Sequence, residues 1–121
     1  MTGCKGMEVL RIVPSLDVGG AESLLVLQLE QLVKLGIKAS VLGLGRSGRA
    51  GRMLARKGFR VAALGKSASV YRPDTTLALA AEIRRQNPDL VHAMVPEAAY
   101  HAAVAGRIAG IPVLADEAGM P

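Results

Sequence analysis

Three scarcities narrow the range of proteins that this sequence can encode. Cys4 is the only cysteine, so the chain can form no internal disulfide and no metal site built from several cysteines. One Phe, two Tyr and no Trp leave few aromatic rings on which bases could stack, which counts against the binding of single-stranded nucleic acid. No apolar run approaches a membrane span, and the N-terminal MTGCKG lacks the apolar stretch of a signal peptide. We therefore expect a cytoplasmic protein that binds no nucleic acid.

What is present suits one compact α/β domain. The chain has 121 residues, half of them hydrophobic, which is enough for a core of Leu, Val, Ile and Ala. The net charge of +5 favours an anionic partner, although charge alone does not choose between phosphates, lipids and nucleic acid. We expect residues 1–121 to form a single domain.

Strand-like and helix-like segments alternate along the whole chain. Short β-branched runs alternate with longer amphipathic or alanine-rich segments, which is the pattern of a doubly wound parallel sheet. We predict a Rossmann-like α/β fold of about five strands in the order 3-2-1-4-5. The predicted strands are 9–13, 38–44, 59–64, 89–95 and 111–115.

The segment Val9–Gly36 predicts a strand, a glycine turn and a helix. Gly19 and Gly20 carry no side chain that would keep a ligand from the backbone just before the helix. Free N–H groups and the positive end of the helix dipole favour an anion there. Glu22, in the first helical turn, complements the dipole when no ligand is bound. The alternative is that the two glycines make only a tight turn.

The predicted strand order has its switch point between the first and fourth strands. Ligands of such sheets bind there, at the carboxyl ends of the strands. The loops 15–20 and 92–97 should therefore face each other, with residues 116–119 beside them. His92 suits either a hydrogen bond to a sugar hydroxyl or a structural role, whereas a structural role is favoured for His101. Two separated histidines do not predict a metal site.

A second glycine pattern, Gly43–Gly48, matches G-x-G-x-x-G between a strand and a helix. The position that holds an acidic residue in dinucleotide sites falls here on Gly65, Lys66 and Ser67, and a lysine suits the 2′-phosphate of NADP. The pattern follows the second strand rather than the first, which is the wrong place for the fingerprint. An NADP-binding module is therefore an alternative hypothesis, and a flexible loop is the simpler interpretation.

The segment from Arg46 to Arg60 is strongly basic and contains no acid. Arg49, Arg52 and Arg56 share one face of a predicted helix, while Met53 and Leu54 face inward. Such a face is usually only solvated. The sharper hypothesis is a contact with an anionic membrane surface or with an acceptor.

Two stretches together resemble family-4-type glycosyltransferases of the GT-B fold. VLRIVPSLDVGGAESLLVLQLEQLVKLGIKASVLGL is similar to the opening of these enzymes, and NPDLVHAMVPEAAYHAAVAGRIAGIPVLADEAG to the segment that closes their first half. The Gly-Gly-Ala-Glu element is the most specific part of the likeness. The resemblance implies an acceptor-side first domain, with Gly19 and Gly20 near the diphosphate of a nucleotide-sugar donor. It also implies retention of configuration, usually without a metal.

The sequence departs from the family pattern in three places. The His-x-His that members often have after the fourth strand is His92-Ala93-Met94, and the place of a sugar-contacting histidine after the fifth strand holds Ala118. Asp116 or Glu117 is then the candidate for a sugar contact. The donor-binding second domain of the family is absent from these residues, so no catalytic residue is assigned.

These observations predict the N-terminal part of a retaining glycosyltransferase that is inactive alone. Its substrates would be a nucleotide-sugar and an unidentified acceptor, with no cofactor and no metal. We expect a peripheral association with the inner face of the membrane and self-association of the chain. A noncatalytic Rossmann-like interaction domain is the third hypothesis, beside the NADP-binding module.

Overall fold

A computed structural model describes residues 6–13, 22–45, 48–67, 69, 71–93 and 96–115. They form a sheet of five strands with four helices between them, as the alternation of the sequence predicts. The elements in chain order are β1 (Glu8–Val13), α1 (Glu22–Lys34), β2 (Lys38–Gly43), α2 (Arg49–Arg56), β3 (Arg60–Ala63), α3 (Pro73–Gln86), β4 (Leu90–Ala93), α4 (Pro96–Ala109) and β5 (Val113–Ala115).

The strand order is β3-β2-β1-β4-β5, and every neighbouring pair is parallel. The predicted doubly wound order is therefore confirmed. β1 lies at the centre because its apolar residues can be buried on both faces of the sheet. Its neighbours are β2 and β4, so the switch point lies between β1 and β4.

Side chains alternate along each strand and divide the core into two clusters. On one face Leu10 and Ile12 pack with Leu79 and Ile83 of α3 and with the alanines of α4. We call this the α3–α4 face. On the other face Val26, Leu29, Val41 and Leu54 form a smaller cluster against α1 and α2, which we call the α1–α2 face.

Helix α4 approaches the sheet very closely. Ala98, Ala102 and Ala105 are fully buried, as expected of an alanine-rich helix that lies against strands. At Gly106 a Cβ atom would stand 2.2 Å from Val113 Cγ2 and 3.0 Å from the carbonyl oxygen of Ile111. Only a residue without a side chain fits at this crossing of α4 and β5.

The sequence predicts that helices end at Gly36, Asn87 and Gly110, and that Pro73 and Asp74 start a helix with Asp74 as its N-cap. The three helix ends are confirmed, but the predicted N-cap is wrong. Gly36 and Gly110 have φ of 84° and 76°, and Asn87 adopts the left-handed conformation after α3. Asp74, predicted as the N-cap of α3, lies inside the first turn, and Arg72 is the N-cap. Pro73 explains the difference, because its fixed φ suits the first helical position and brings the start forward.

Candidate functional site at the carboxyl edge of the sheet

The strand order sets the carboxyl ends of β1 and β4 side by side. Parallel strands all end at the same edge, so the chain leaves β1 after Val13 and β4 after Ala93 at neighbouring points. Helix α1 begins at Glu22 after the chain has left this edge. Of the predicted site residues, Gly19, Gly20, Asp116 and Glu117 lie outside the described residues, as does Ala118.

His92 lies inside β4 and not in the loop after it. It is in register with Arg11 of β1 and with Leu114 of β5, so these three side chains leave the same face of the sheet. Arg11 points toward α1, which identifies this as the α1–α2 face. His92 is partly buried there, and Leu114 is 52 % exposed. The structure thus brings His92 to the switch point, one residue before the strand ends.

Arg11 is a buried cation that the sequence did not single out. Its side chain is only 4 % exposed, and its Nη2 donates a hydrogen bond of 2.5 Å to Oε1 of Gln28 on α1. A buried guanidinium requires hydrogen-bond acceptors, because desolvating a charge without them is costly. The one feature of the sequence that could have identified this buried cation is an arginine inside an otherwise apolar predicted strand.

The second glycine pattern lies at β2, one strand away from the switch point. The backbone pairing of β2 and β3 continues past the strands, with Lys66 N donating to Leu44 O at 2.8 Å and Gly65 N to Gly45 O at 3.0 Å. Lys66, the residue that would suit a 2′-phosphate, has its Nζ 3.7 Å from Oδ2 of Asp74. Both facts weigh against the NADP hypothesis, because the pattern is displaced and its lysine has a carboxylate partner.

His101 has a structural role, as the sequence favoured. It is fully buried, with Nε2 2.8 Å from the carbonyl oxygen of Ser69 and Nδ1 2.7 Å from Oγ1 of Thr76. The carbonyl can only accept, so Nε2–H donates to it, while Nδ1 and the Thr76 hydroxyl form the second hydrogen bond. Thr75 Oγ1 donates to Ser67 O at 2.6 Å. Together these bonds fix the connection between β3 and α3.

Charges at the start of α3 are neutralised locally. Arg72 Nε lies 3.0 Å from Oδ1 of Asp74, and the hydrogen bond from Arg72 lowers the pKa of the Asp74 carboxyl below its ordinary value. On the same helix the hydrogen bond from Arg85 lowers the pKa of Glu82. The two pairs stabilise α3 near its ends. Because Asp74 and Glu82 are already paired with arginines, they leave little free charge that could bind a ligand.

The predicted arginine face of α2 is present. Arg49, Arg52 and Arg56 are exposed, while Leu54 is fully buried and Met53 packs against the smaller cluster. None of the three arginines has a carboxylate within 4.0 Å among the described residues.

Over the same residues, no group of three His, Cys, Asp or Glu side chains could hold a metal ion. No helix in the described part is long and apolar enough to cross a membrane.

One family matches most of the chain, and two solved structures share its fold. The sequence pattern that defines Glycosyltransferase Family 4 matches residues 18–115. Two solved structures share the fold: a glycosyltransferase from Rickettsia africae ESF-5, with 21 % identity and a TM-score of 0.68, and MurG from Acinetobacter baumannii, with 20 % identity and a TM-score of 0.67.

Each structural match covers 90 % of this chain but only 29 % and 34 % of the respective structure. The chain therefore spans about a third of the length of the structures that it matches. No curated protein sequence matches the chain significantly.

Proposed function

Because the chain belongs to Glycosyltransferase Family 4, we propose that it forms the acceptor-side part of a GT-B enzyme. This enzyme transfers a sugar from a nucleotide-sugar to an acceptor with retention of configuration. The observation that carries the proposal is the strand order, with β1 and β4 adjacent and a glycine pair following β1. Sheets of this order bind ligands at that switch point.

The proposed donor site combines a helix N-terminus with polar groups of the neighbouring strands. The backbone N–H groups of Gly19 and Gly20 and the positive end of α1 would attract the donor diphosphate. His92, Asp116 and Glu117 are the candidates for contacts with the sugar. Glu22 is the candidate that balances the helix dipole when the site is empty. No cofactor or metal takes part in this proposal.

We expect this chain to need a second, donor-binding domain for catalysis. The similar structures are about three times longer than the matched part, which leaves room for such a domain. Transfer requires donor and acceptor to be held together, and positioning supplies much of the rate. Incubation of the purified 121-residue chain with a panel of nucleotide-sugars should give no turnover. Turnover of any of them by the chain alone contradicts this part of the proposal.

The site assignment is tested by Gly20→Asp in the enzyme that joins this chain to its donor domain. The substitution adds bulk and negative charge where the diphosphate would bind, so transfer should fall about a hundredfold. Ala81→Asp is the control, because it adds a carboxylate at an exposed position in the middle of α3, where the helical backbone accepts any L-residue. Thermal melting must show both variants folded. A well-folded Gly20→Asp enzyme with unchanged activity refutes the assignment.

The arginine face of α2 supports a second proposal, a contact with an anionic membrane or acceptor. Arg49, Arg52 and Arg56 have no carboxylate partner in the described part of the chain. Each basic side chain near an anionic surface contributes on the order of 1 kcal/mol, and salt weakens the attraction. The protein would then be cytoplasmic and peripheral at the inner face of the membrane.

Sedimentation with vesicles tests this contact. Binding should require anionic lipid, and it should fall when the three arginines are changed to Gln. Arg84→Gln/Arg85→Gln/Arg107→Gln removes the same number of charges elsewhere and should retain binding. Equal binding to neutral vesicles, or equal loss in both triple variants, removes the membrane proposal.

Exposed apolar side chains support self-association of the chain. Leu114, Leu27 and Leu35 are 52 %, 53 % and 64 % exposed, and their burial against a second copy of the chain would be favourable. Light scattering should give a mass that rises with concentration. A monomer at high concentration contradicts the expectation.

A further inference from the structure

A groove of about 770 Å³ lies at the amino-terminal edge of the sheet, opposite the candidate glycosyltransferase site. It is lined by the beginnings of β1, β2 and β3 and by the ends of α1 and α2. Four of its lining residues are basic, namely Lys34, Lys38, Lys57 and Arg60, and two are acidic, Glu8 and Glu30. The volume is in the range of small-molecule sites, about 300–1,000 Å³.

The four cations come from different elements and share no partner. Lys34 ends α1, Lys38 begins β2, Lys57 caps α2 and Arg60 begins β3. Within the described ranges none of them has a carboxylate oxygen within 4.0 Å, although Glu8 and Glu30 line the same groove. The two carboxylates balance only two of the four positive charges, so an anion in the groove would lower the free energy of this arrangement.

The ends of the two helices do not account for the whole cluster. Cations at a helix C-terminus are favourable because they complement the helix dipole, which explains Lys34 and Lys57. Lys38 and Arg60 lie on strands, where no helix carbonyls require a cation. Their convergence on the same groove points to a ligand.

The lining also narrows the chemistry of that ligand. Phe59, the one phenylalanine of the chain, is only partly buried and lines the groove together with Val33 and Ala39. The lining therefore combines an apolar wall with lysine and arginine side chains, which are the usual partners of phosphate oxygens. A flat membrane would meet only the rim of such a concave surface.

We propose that this amino-edge groove binds a small phosphorylated anion through Lys34, Lys38, Lys57 and Arg60. The site is separate from the switch point, since the two lie at opposite ends of the parallel strands. It therefore does not depend on the glycosyltransferase proposal.

Titration of the chain with inorganic pyrophosphate at constant ionic strength, followed by amide NMR shifts, tests the proposal. Saturable shifts should fall on residues 34–40 and 57–60, while those of Gly43 and His92 at the carboxyl edge stay unchanged. The affinity should fall as KCl is raised, because exposed ion pairs are screened.

A pair of charge-matched variants separates a site from net charge. Lys57→Gln/Arg60→Gln should bind pyrophosphate about fivefold to tenfold more weakly. Arg84→Gln/Arg107→Gln removes the same charge from α3 and α4 and should bind like the unmodified chain. Thermal melting checks that both variants fold.

Three results overturn the proposal: shifts that centre on the carboxyl edge, equal weakening in both double variants, or no saturation. A parallel binding experiment with anionic vesicles distinguishes a small phosphorylated anion from the phosphate of a lipid headgroup. If Lys57→Gln/Arg60→Gln lowers binding to anionic vesicles but leaves pyrophosphate binding unchanged, the groove is a lipid contact and the small-anion site is refuted.

Discussion

Charged and polar side chains have partners within the protein more often on one face of the sheet than on the other. On the α3–α4 face, Lys66 and Arg72 share Asp74, Arg85 is paired with Glu82, and both ring nitrogens of buried His101 have partners. On the α1–α2 face, the arginines of α2 have no carboxylate partner among the described residues, and at the amino edge of the sheet the cations of the groove have none either. Internal pairing favours one fixed arrangement, whereas unpaired charge is available to a ligand.

Among the substitutions that test this contrast, His101→Leu should have the largest effect on the free energy of unfolding. The substitution removes the hydrogen bond to Ser69 O and leaves that carbonyl and the Thr76 hydroxyl to find other partners. We expect the free energy of unfolding to fall by about 2–4 kcal/mol in urea titrations. Ala103→Leu, at an exposed position on the same helix, should change it by no more than about 0.5 kcal/mol. A loss at His101 as small as that at Ala103 would mean that the link between α3, α4 and the connection is not stabilising.

The close approach of α4 to β5 predicts the next effect. Gly106→Ala would place its Cβ against Val113 Cγ2, so overpacking should lower the free energy of unfolding by about 1–3 kcal/mol. In a Val113→Ala background the same change should cost less, since the clashing methyl group is absent. Urea titrations of the four proteins in this cycle give the coupling energy. An additive result contradicts the contact.

On the α1–α2 face, Gln28→Leu tests the buried cation. Removing Oε1 of Gln28 takes an acceptor from Arg11, so the free energy of unfolding should fall by about 1–2 kcal/mol. Gln31→Leu, an exposed position one turn further along α1, is the matched control. If both substitutions have the same effect, the hydrogen bond between α1 and β1 contributes nothing measurable.

The smallest expected effect is a pH dependence on the α3–α4 face. Because Arg85 lowers the pKa of Glu82 in the folded state, this carboxylate stabilises the fold above its unfolded pKa. That contribution is lost as the pH falls through the lowered folded pKa, on the acid side of the ordinary value of 4.5. Glu82→Gln should therefore flatten the acid limb of a plot of melting temperature against pH. An unchanged acid limb contradicts the role of the pair.

Local patterns predicted most elements of the fold. Alternating short and long apolar segments gave the five strands and four helices, and Gly36, Asn87 and Gly110 end helices where expected. The N-cap at Asp74 was misplaced, because Pro73 and Asp74 both favour a helix start and the sequence does not say which begins it. The packing of Gly106 on Val113 was not predictable, since it depends on where two distant segments meet.

The candidate site was only partly predictable for the same reason. The switch point follows from the strand order, and the strand order follows from the alternation of elements, so the region around His92 could be named in advance. Arg11 and Gln28 could not be paired, because the two residues lie on different elements and nothing in either pattern specifies the other. The structural role of His101 was favoured, but its partners Thr76 and Ser69 were not foreseen.

By itself, the sequence determined the fold class, the family and the basic character of the segment after β2. These properties depend on residue types and spacings that are local in the chain. Tertiary structure alone decided which of the basic residues come together in one groove. Arg72 and Arg85 meet carboxylates that lie two and three residues away in the chain, whereas Lys38 and Arg60, at the beginnings of β2 and β3, have none within 4.0 Å among the described residues. The groove arises because parallel strands gather residues from distant segments at one edge of the sheet.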